Sequence, residues 1–147
     1  MRYTLRMKSN ALLPELYVMD FAKSIHFYVT MLGFTIEYQR DHPQFAFLSF
    51  QGSQLMLQEL DLQEDAAFIT GAYEYPLGRG VNFQIDTPDV HKIADALQRH
   101  TYPLRRELRE SWYRKGNVLS GCRQLLVQDP DGYLLRFSQN IGEKPAR

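Results

Sequence analysis

A chain of 147 residues with 44% hydrophobic and 13% aromatic side chains carries enough apolar surface for one globular domain and is excluded from the disordered class. Its 17 basic and 17 acidic side chains cancel, which leaves no electrostatic footprint for nucleic acid or for an anionic membrane. No apolar run approaches the ~18 residues of a membrane span, Met1 to Asn10 lacks the apolar segment of a secretory signal, and Cys122, the single cysteine, allows no internal disulfide, all as expected of a cytoplasmic protein.

In chain order, Leu12 to Val18 has strand composition, and Asp20 is placed to cap a helix from about Phe21 to Leu32. Ile25, Tyr28, Val29 and Leu32 share one face of that helix at 3.6-residue spacing, and Gly33 supplies its stop. Three strand-like runs follow, Phe34 to Arg40, Gln44 to Phe50 and Gln54 to Leu60, joined by the short turns Asp-His-Pro and Gln-Gly-Ser. Leu62 to Tyr75 is looser, with one short helix expected around Glu64 to Ile69. Beyond Pro76-Leu-Gly-Arg-Gly80 the order starts again. A strand spans Val81 to Asp86, and a helix Pro88 to His100 carries the stripe Val90, Ile93, Ala94 and Leu97. Extended runs then cover about Leu104 to Arg114, Arg123 to Gln128 and Tyr133 to Gln139.

The chain is therefore a repeat of strand, helix and three strands, with a first module at about 10–60, a linker at 61–79 and a second module at about 80–140. Phe47 to Gln58 overlays Leu125 to Arg136 without a gap, which makes Gln58 and Arg136 equivalent. Asp129-Pro-Asp-Gly132 is a tight-turn sequence: proline presets φ, the aspartates accept nearby backbone N–H groups, and glycine supplies positive φ. Apolar strands on both sides make it a hairpin. Arg136, between Leu135 and Phe137, must face the side opposite to both.

These segments resemble the vicinal-oxygen-chelate superfamily, which includes glyoxalase I, extradiol dioxygenases and bleomycin resistance proteins. The resemblance is carried by Leu16-Tyr-Val-Met-Asp-Phe21, Phe27-Tyr28, Leu32-Gly-Phe34 and Asp129-Pro-Asp-Gly-Tyr-Leu-Leu-Arg-Phe137, and it spans both halves. It implies an α+β fold of two βαβββ modules, with mixed sheets curling into a cleft and helices on the outer face. It also implies a homodimer whose cleft is completed at or near the subunit contact.

Enzymes of that superfamily hold a divalent metal through His, Glu or Gln on the first and last strands of each module. Those positions carry over to Leu13, Gln58, Gly80 and Arg136. Leucine and glycine have no donor side chain, and a guanidinium repels a cation. A slip of two residues would offer Glu15, but only Asn82 in the second module. His26, His91 and His100 fall on expected helices and His42 in a turn, with no ligand-like spacing among them. No nucleophile elbow or glycine-rich phosphate loop is present, and Cys122, between Gly121 and Arg123, reads as a structural thiol. No catalytic residue, metal or cofactor is expected.

Strand alternation gives the expected lining of the cleft. It comprises Glu15 and Tyr17 from the first strand, Met56 and Gln58 from the fourth, Asn82 and Gln84 from the fifth, and Leu134 and Arg136 from the last. Trp112 is added as an aromatic wall, with an ordinary packing anchor as the alternative. Val81, Phe83 and Ile85 should pack under the helices. Aromatic surface with a few amide and ionic groups is the composition of a binding pocket. Glu15 and Arg136 could also pair with each other and simply stabilise the interior.

The expected function is metal-free, non-catalytic binding of an aromatic or drug-like small molecule, resembling the bleomycin resistance group, with no nucleic-acid or membrane partner. Bleomycins are cationic, whereas this chain is neutral and carries Arg136, so an anionic or aromatic ligand competes with the drug. The alternatives are a metal-dependent lyase or oxygenase with displaced ligands, and a partner-binding module with an exposed apolar face.

Overall fold

The computed structural model describes residues 8–147; most of Met1 to Asn10, read above for a signal, lies outside them. The fold is α+β, with two four-stranded sheets ordered β1-β4-β3-β2 and β5-β8-β7-β6. The first sheet contains β1 (Glu15–Val18), β2 (Thr35–Asp41), β3 (Gln44–Phe50) and β4 (Ser53–Glu59). The second contains β5 (Asn82–Asp86), β6 (Arg106–Lys115), β7 (Val118–Gln128) and β8 (Leu134–Pro145). In each sheet the first strand runs parallel to the last and the other pairs are antiparallel. This is the expected βαβββ module, twice over.

The helix of the first module starts where Asp20 caps it, its carboxylate accepting from Lys23 N–H at 3.1 Å. It is not uniform. Helix α1 (Phe21–Ile25) widens into a π-helical turn, His26–Met31. The wider turn re-phases the buried face, so Phe27 is 1% exposed beside Tyr28, a position that 3.6-residue spacing does not select. Gly33 ends the helix at φ +85°. In the second module α3 (Val90–Arg99) is capped by Asp89, which accepts from Lys92 N–H. Pro88 therefore precedes the cap instead of occupying the first turn. In the linker, a short helix α2 (Leu62–Asp65) and a 3-10 turn replace the single helix expected near Glu64.

Other strand limits shift as well. The first strand begins only at Glu15; Pro14 cannot donate to a ladder, and Leu12 is exposed. Val81 lies outside β5 and is exposed, so it does not pack under the helices, whereas Ile85 is buried and Phe83 packs against the core. The largest change is in the second sheet. Strands β7 and β8 run well beyond the expected segments, and β8 pairs with β7 as far as Pro145 opposite Val118. With β6 they form a three-stranded arm in which polar residues predominate and the few apolar ones, such as Trp112, Tyr113, Val118 and Leu119, follow no regular period.

One hydrophobic cluster joins the two modules. It includes Leu16, Leu48 and Leu57 of the first sheet, Leu125, Leu135 and Phe137 of the second, and Phe27, Tyr28, Ile93 and Leu97 from the helices. Ring contacts Phe27–Tyr102 at 4.8 Å and Phe50–Phe137 at 6.0 Å cross between modules. Since both sheets turn their helix side to this shared core, their other faces lie away from it. No helix among the described residues is long and apolar enough to cross a membrane.

Candidate functional site

The Asp129 turn does more than connect two strands. Asp129 N–H donates to the Tyr133 carbonyl at 2.8 Å, and Gly132 sits at φ +96°. Asp129 Oδ1 accepts from the backbone N–H groups of Asp131 and Tyr133, and Oδ2 accepts from the Tyr28 hydroxyl at 2.7 Å. Asp131 accepts from Met19 N–H and the Ser24 hydroxyl. Both carboxylates are buried. Burial pushes the Asp129 carboxyl up to about 7, against the opposing pull of the Tyr28 hydrogen bond. The turn thus docks the second module onto the helix of the first and fixes where β8 begins.

From that anchor, β8 presents its side chains alternately. Leu135 and Phe137 enter the core; Leu134, Arg136 and Ser138 face away. Neighbouring strands extend the open face in rows. One row runs Gln84, Arg136, Leu126, Arg106, and the next runs Asp86, Ser138, Gln124, Arg109. Arg106 and Arg109 share a face despite their odd spacing because the β6–β7 register shifts between them. Gln124 Nε2 donates to Ser138 Oγ at 3.1 Å, and Gln84 Nε2 donates to Asp86 at 2.9 Å.

The part of this face nearest β5 and β8 floors a cavity of 660 Å³ whose lining includes Gln84, Asp86, Gln124, Arg136, Ser138 and Asn140, with Tyr113 and Lys115 from the arm; Leu126, Arg106 and Arg109 continue the face beyond that lining. Its volume is that of small-molecule pockets, about 300–1,000 Å³. Arg136 Nε and Arg106 Nε are buried without a hydrogen-bond acceptor, and neither side chain forms a salt bridge among the described residues.

The open face of the first sheet has a different character. Its rows are Glu15, Met56, Phe47, Tyr38 and Tyr17, Gln58, Phe45, Arg40. Tyr38 stacks on Phe47 at 5.4 Å, and the Arg40 guanidinium lies 4.1 Å from the Phe45 ring centre. The linker crosses this face. Phe68 approaches Tyr17 at 6.0 Å, and Gln58 Nε2 donates to the buried Asp65 at 3.5 Å. Between sheet and linker is a cavity of 570 Å³ lined by Glu15, Tyr17, Met56, Phe68, Tyr73 and Tyr133 among others. Burial, then the carboxylates of Glu15 and Asp65, raises the Tyr17 hydroxyl well above its usual range.

The nine expected lining residues therefore divide. Glu15, Tyr17 and Met56 share one cavity, and Gln84 and Arg136 share the other. Gln58 lies beside Tyr17, engaged with Asp65, while Asn82 and Leu134 pair in the row next to Arg136. Trp112 lines neither cavity. It packs over Gly121 on the far side of β6, under the Lys144 ammonium at 4.0 Å, and its neighbour Tyr113 faces the larger cavity. Glu15 and Arg136 form no salt bridge with each other. Cys122 is half-buried and lines the larger cavity.

Phe45, Phe47 and Tyr38 were missed by pattern alone, because β3 is apolar on both faces and alternation cannot tell the sides apart. Arg106 was missed because its facing depends on the register shift.

A metal does not fit the positions that the resemblance implies. Leu13 and Gly80 lie outside the strands and offer no donor side chain, Arg136 is cationic, and Gln58 is turned to Asp65. Among the described residues, no three His, Cys, Asp or Glu side chains are grouped to hold an ion.

A family model described as the Glyoxalase/Bleomycin resistance protein/Dioxygenase superfamily matches residues 10–137. A superfamily member of that description from Vibrio splendidus is 33% identical over 88% of this chain and 97% of its own, with a TM-score of 0.41. A glyoxalase/bleomycin resistance protein/dioxygenase from Alicyclobacillus acidocaldarius is 19% identical over 94% of this chain and 96% of its own, with a TM-score of 0.64. A lactoylglutathione lyase from Agrobacterium tumefaciens is also 19% identical, over 90% and 95%, with a TM-score of 0.59. The last two share the fold. No curated protein matches the sequence. On the family match and the paired βαβββ modules, the chain belongs to the glyoxalase/bleomycin resistance protein/dioxygenase superfamily.

Proposed function

We propose that this protein is a metal-free, non-catalytic small-molecule binding protein of the cytoplasm, resembling bleomycin resistance proteins and sequestering an aromatic or drug-like ligand. The observation that carries the reading is Arg136. It occupies the last-strand position where related enzymes would place a metal-binding carboxylate, and it lines a cavity of 660 Å³. A cation there opposes metal binding and favours orientation of a polar ligand.

The homodimer belongs to the same proposal. In one chain the aromatic open face and the polar open face line separate cavities. A second copy that set one face against the other would unite apolar walls with orienting polar groups in one cleft.

Metal analysis of the purified full chain, followed by thermal shift with bleomycin and a set of aromatic carboxylates, tests the reading. The expected result is substoichiometric metal and a ligand that stabilises the protein by about 2.7 kcal/mol at a hundred times its dissociation constant. Stoichiometric Zn, Ni, Mn or Fe, lost in Gln58→Ala or Glu15→Ala, would replace the reading with a metal-dependent lyase or oxygenase.

A further inference from the structure

The row Gln84, Arg136, Leu126, Arg106 has a property that generic small-molecule binding does not require. Arg136 and Arg106 flank Leu126 on one face, two strand spacings or about 10 Å apart along the row. Each has a buried Nε–H with no acceptor. Arg109 adds a third guanidinium in the adjoining row, and the sole carboxylate in the two rows, Asp86, already accepts from Gln84. The two side chains are half-buried, but a buried donor without an acceptor is costly. Among the described residues two other arginines are ion-paired: Arg123 lies 3.6 Å from Glu110 on the opposite face of the same sheet, and Arg79 lies 3.6 Å from Glu74. Both guanidinium Nε–H groups that are buried without an acceptor among the described residues lie on the open face.

We infer that the ligand of this face carries an oxyanion, a carboxylate or a phosphate, held between Arg136 and Arg106 with its apolar part over Leu126. The planar guanidinium fork suits both anions, since each can accept two parallel N–H bonds. This inference rests on the binding reading above and names the ligand class it requires.

The test measures binding of phenyl phosphate, 4-phenylbenzoate and the neutral 4-phenylbenzamide to the full-length protein by calorimetry, at low and high salt. At least one anion should bind, the amide at least tenfold more weakly, with affinity falling as salt rises. Arg136→Gln and Arg106→Gln should each weaken the anion tenfold or more, and Arg123→Gln should leave it unchanged. Binding by one anion and not the other identifies the headgroup and supports the inference equally.

Indifference of anion binding to both variants would overturn it. So would loss of dimerisation in Arg136→Gln with no anion bound by the wild type, which would assign the free guanidiniums to a subunit contact. Tight binding of bleomycin unaffected by Arg136→Gln would sink the oxyanion while leaving the binding reading intact, and only a retained metal would sink both. If a glutamine variant fails to fold, the salt dependence and the anion–amide comparison on the wild type decide the matter.

Discussion

The Tyr28 hydroxyl donates a 2.7 Å hydrogen bond to Asp129 Oδ2 across 101 residues of sequence, and both partners are buried. This bond joins the π-helical turn of the first module to the hairpin turn of the second. Tyr28→Phe keeps the ring and its packing but leaves the carboxylate with backbone donors alone. A loss of about 1–3 kcal/mol is expected, read as a lower urea midpoint at unchanged slope.

Stability should also depend on pH through the same carboxyl. Asp129 titrates near 7 in the folded chain, chiefly because of burial, against about 4 when unfolded. Between those values the folded state holds a proton that the unfolded state has released, so stability falls as pH rises through that window. The contribution is present below pH about 4 and gone above about 7. Asp131, raised in the same direction, adds to the trend. Urea midpoints at pH 5, 6, 7 and 8 should decline in the wild type by more than in Asp129→Asn. The comparison cancels the histidines, and equal slopes would contradict it.

Two glycines with positive φ should respond differently to alanine. At Gly132, φ +96°, a Cβ would lie 2.6 Å from Pro76 Cα and 3.0 Å from Leu77 N, backbone atoms that cannot swing aside. At Gly80, φ +91°, nothing lies within 4 Å. Gly80→Ala should cost about 1–2 kcal/mol from conformation alone, and Gly132→Ala about 3 kcal/mol or more. Thermal denaturation of the pair separates strain from collision.

Trp112 is the single tryptophan and reports on the β6–β8 arm. A Cβ on Gly121 would lie 2.6 Å from its ring, so Gly121→Ala should lift the indole from the sheet. Its emission should shift to the red while far-UV circular dichroism stays that of the wild type. An unchanged spectrum would mean that the ring is not seated on Gly121.

The modular order was readable because Asp20, Gly33, Asp89 and the Asp129 turn punctuate it, each with a local hydrogen bond or backbone angle. Alternation also assigned Ile85 to the core and Gln84 and Arg136 to the open face. It failed where both faces of a strand are alike. Strand β3 is apolar on both sides, which hid Phe45 and Phe47; the arm is mostly polar with no apolar period, which hid the length of β7 and β8. It failed again where the backbone departs from a regular period, at the π-helical turn that buries Phe27 and at the register shift that turns Arg106 to the same face as Arg136. The division of the lining between two cavities depends on how the modules dock, which no local pattern encodes.

That docking places the cohesive cluster of the molecule on the helix side of both sheets, and Arg136 and Arg106 lie outside it. Substitutions at those two arginines can change what is recognised without disturbing what holds the modules together. A descendant of this chain could therefore exchange Arg136 or Arg106 for an acid or an apolar residue, and with it one class of guest for another, while keeping the same scaffold.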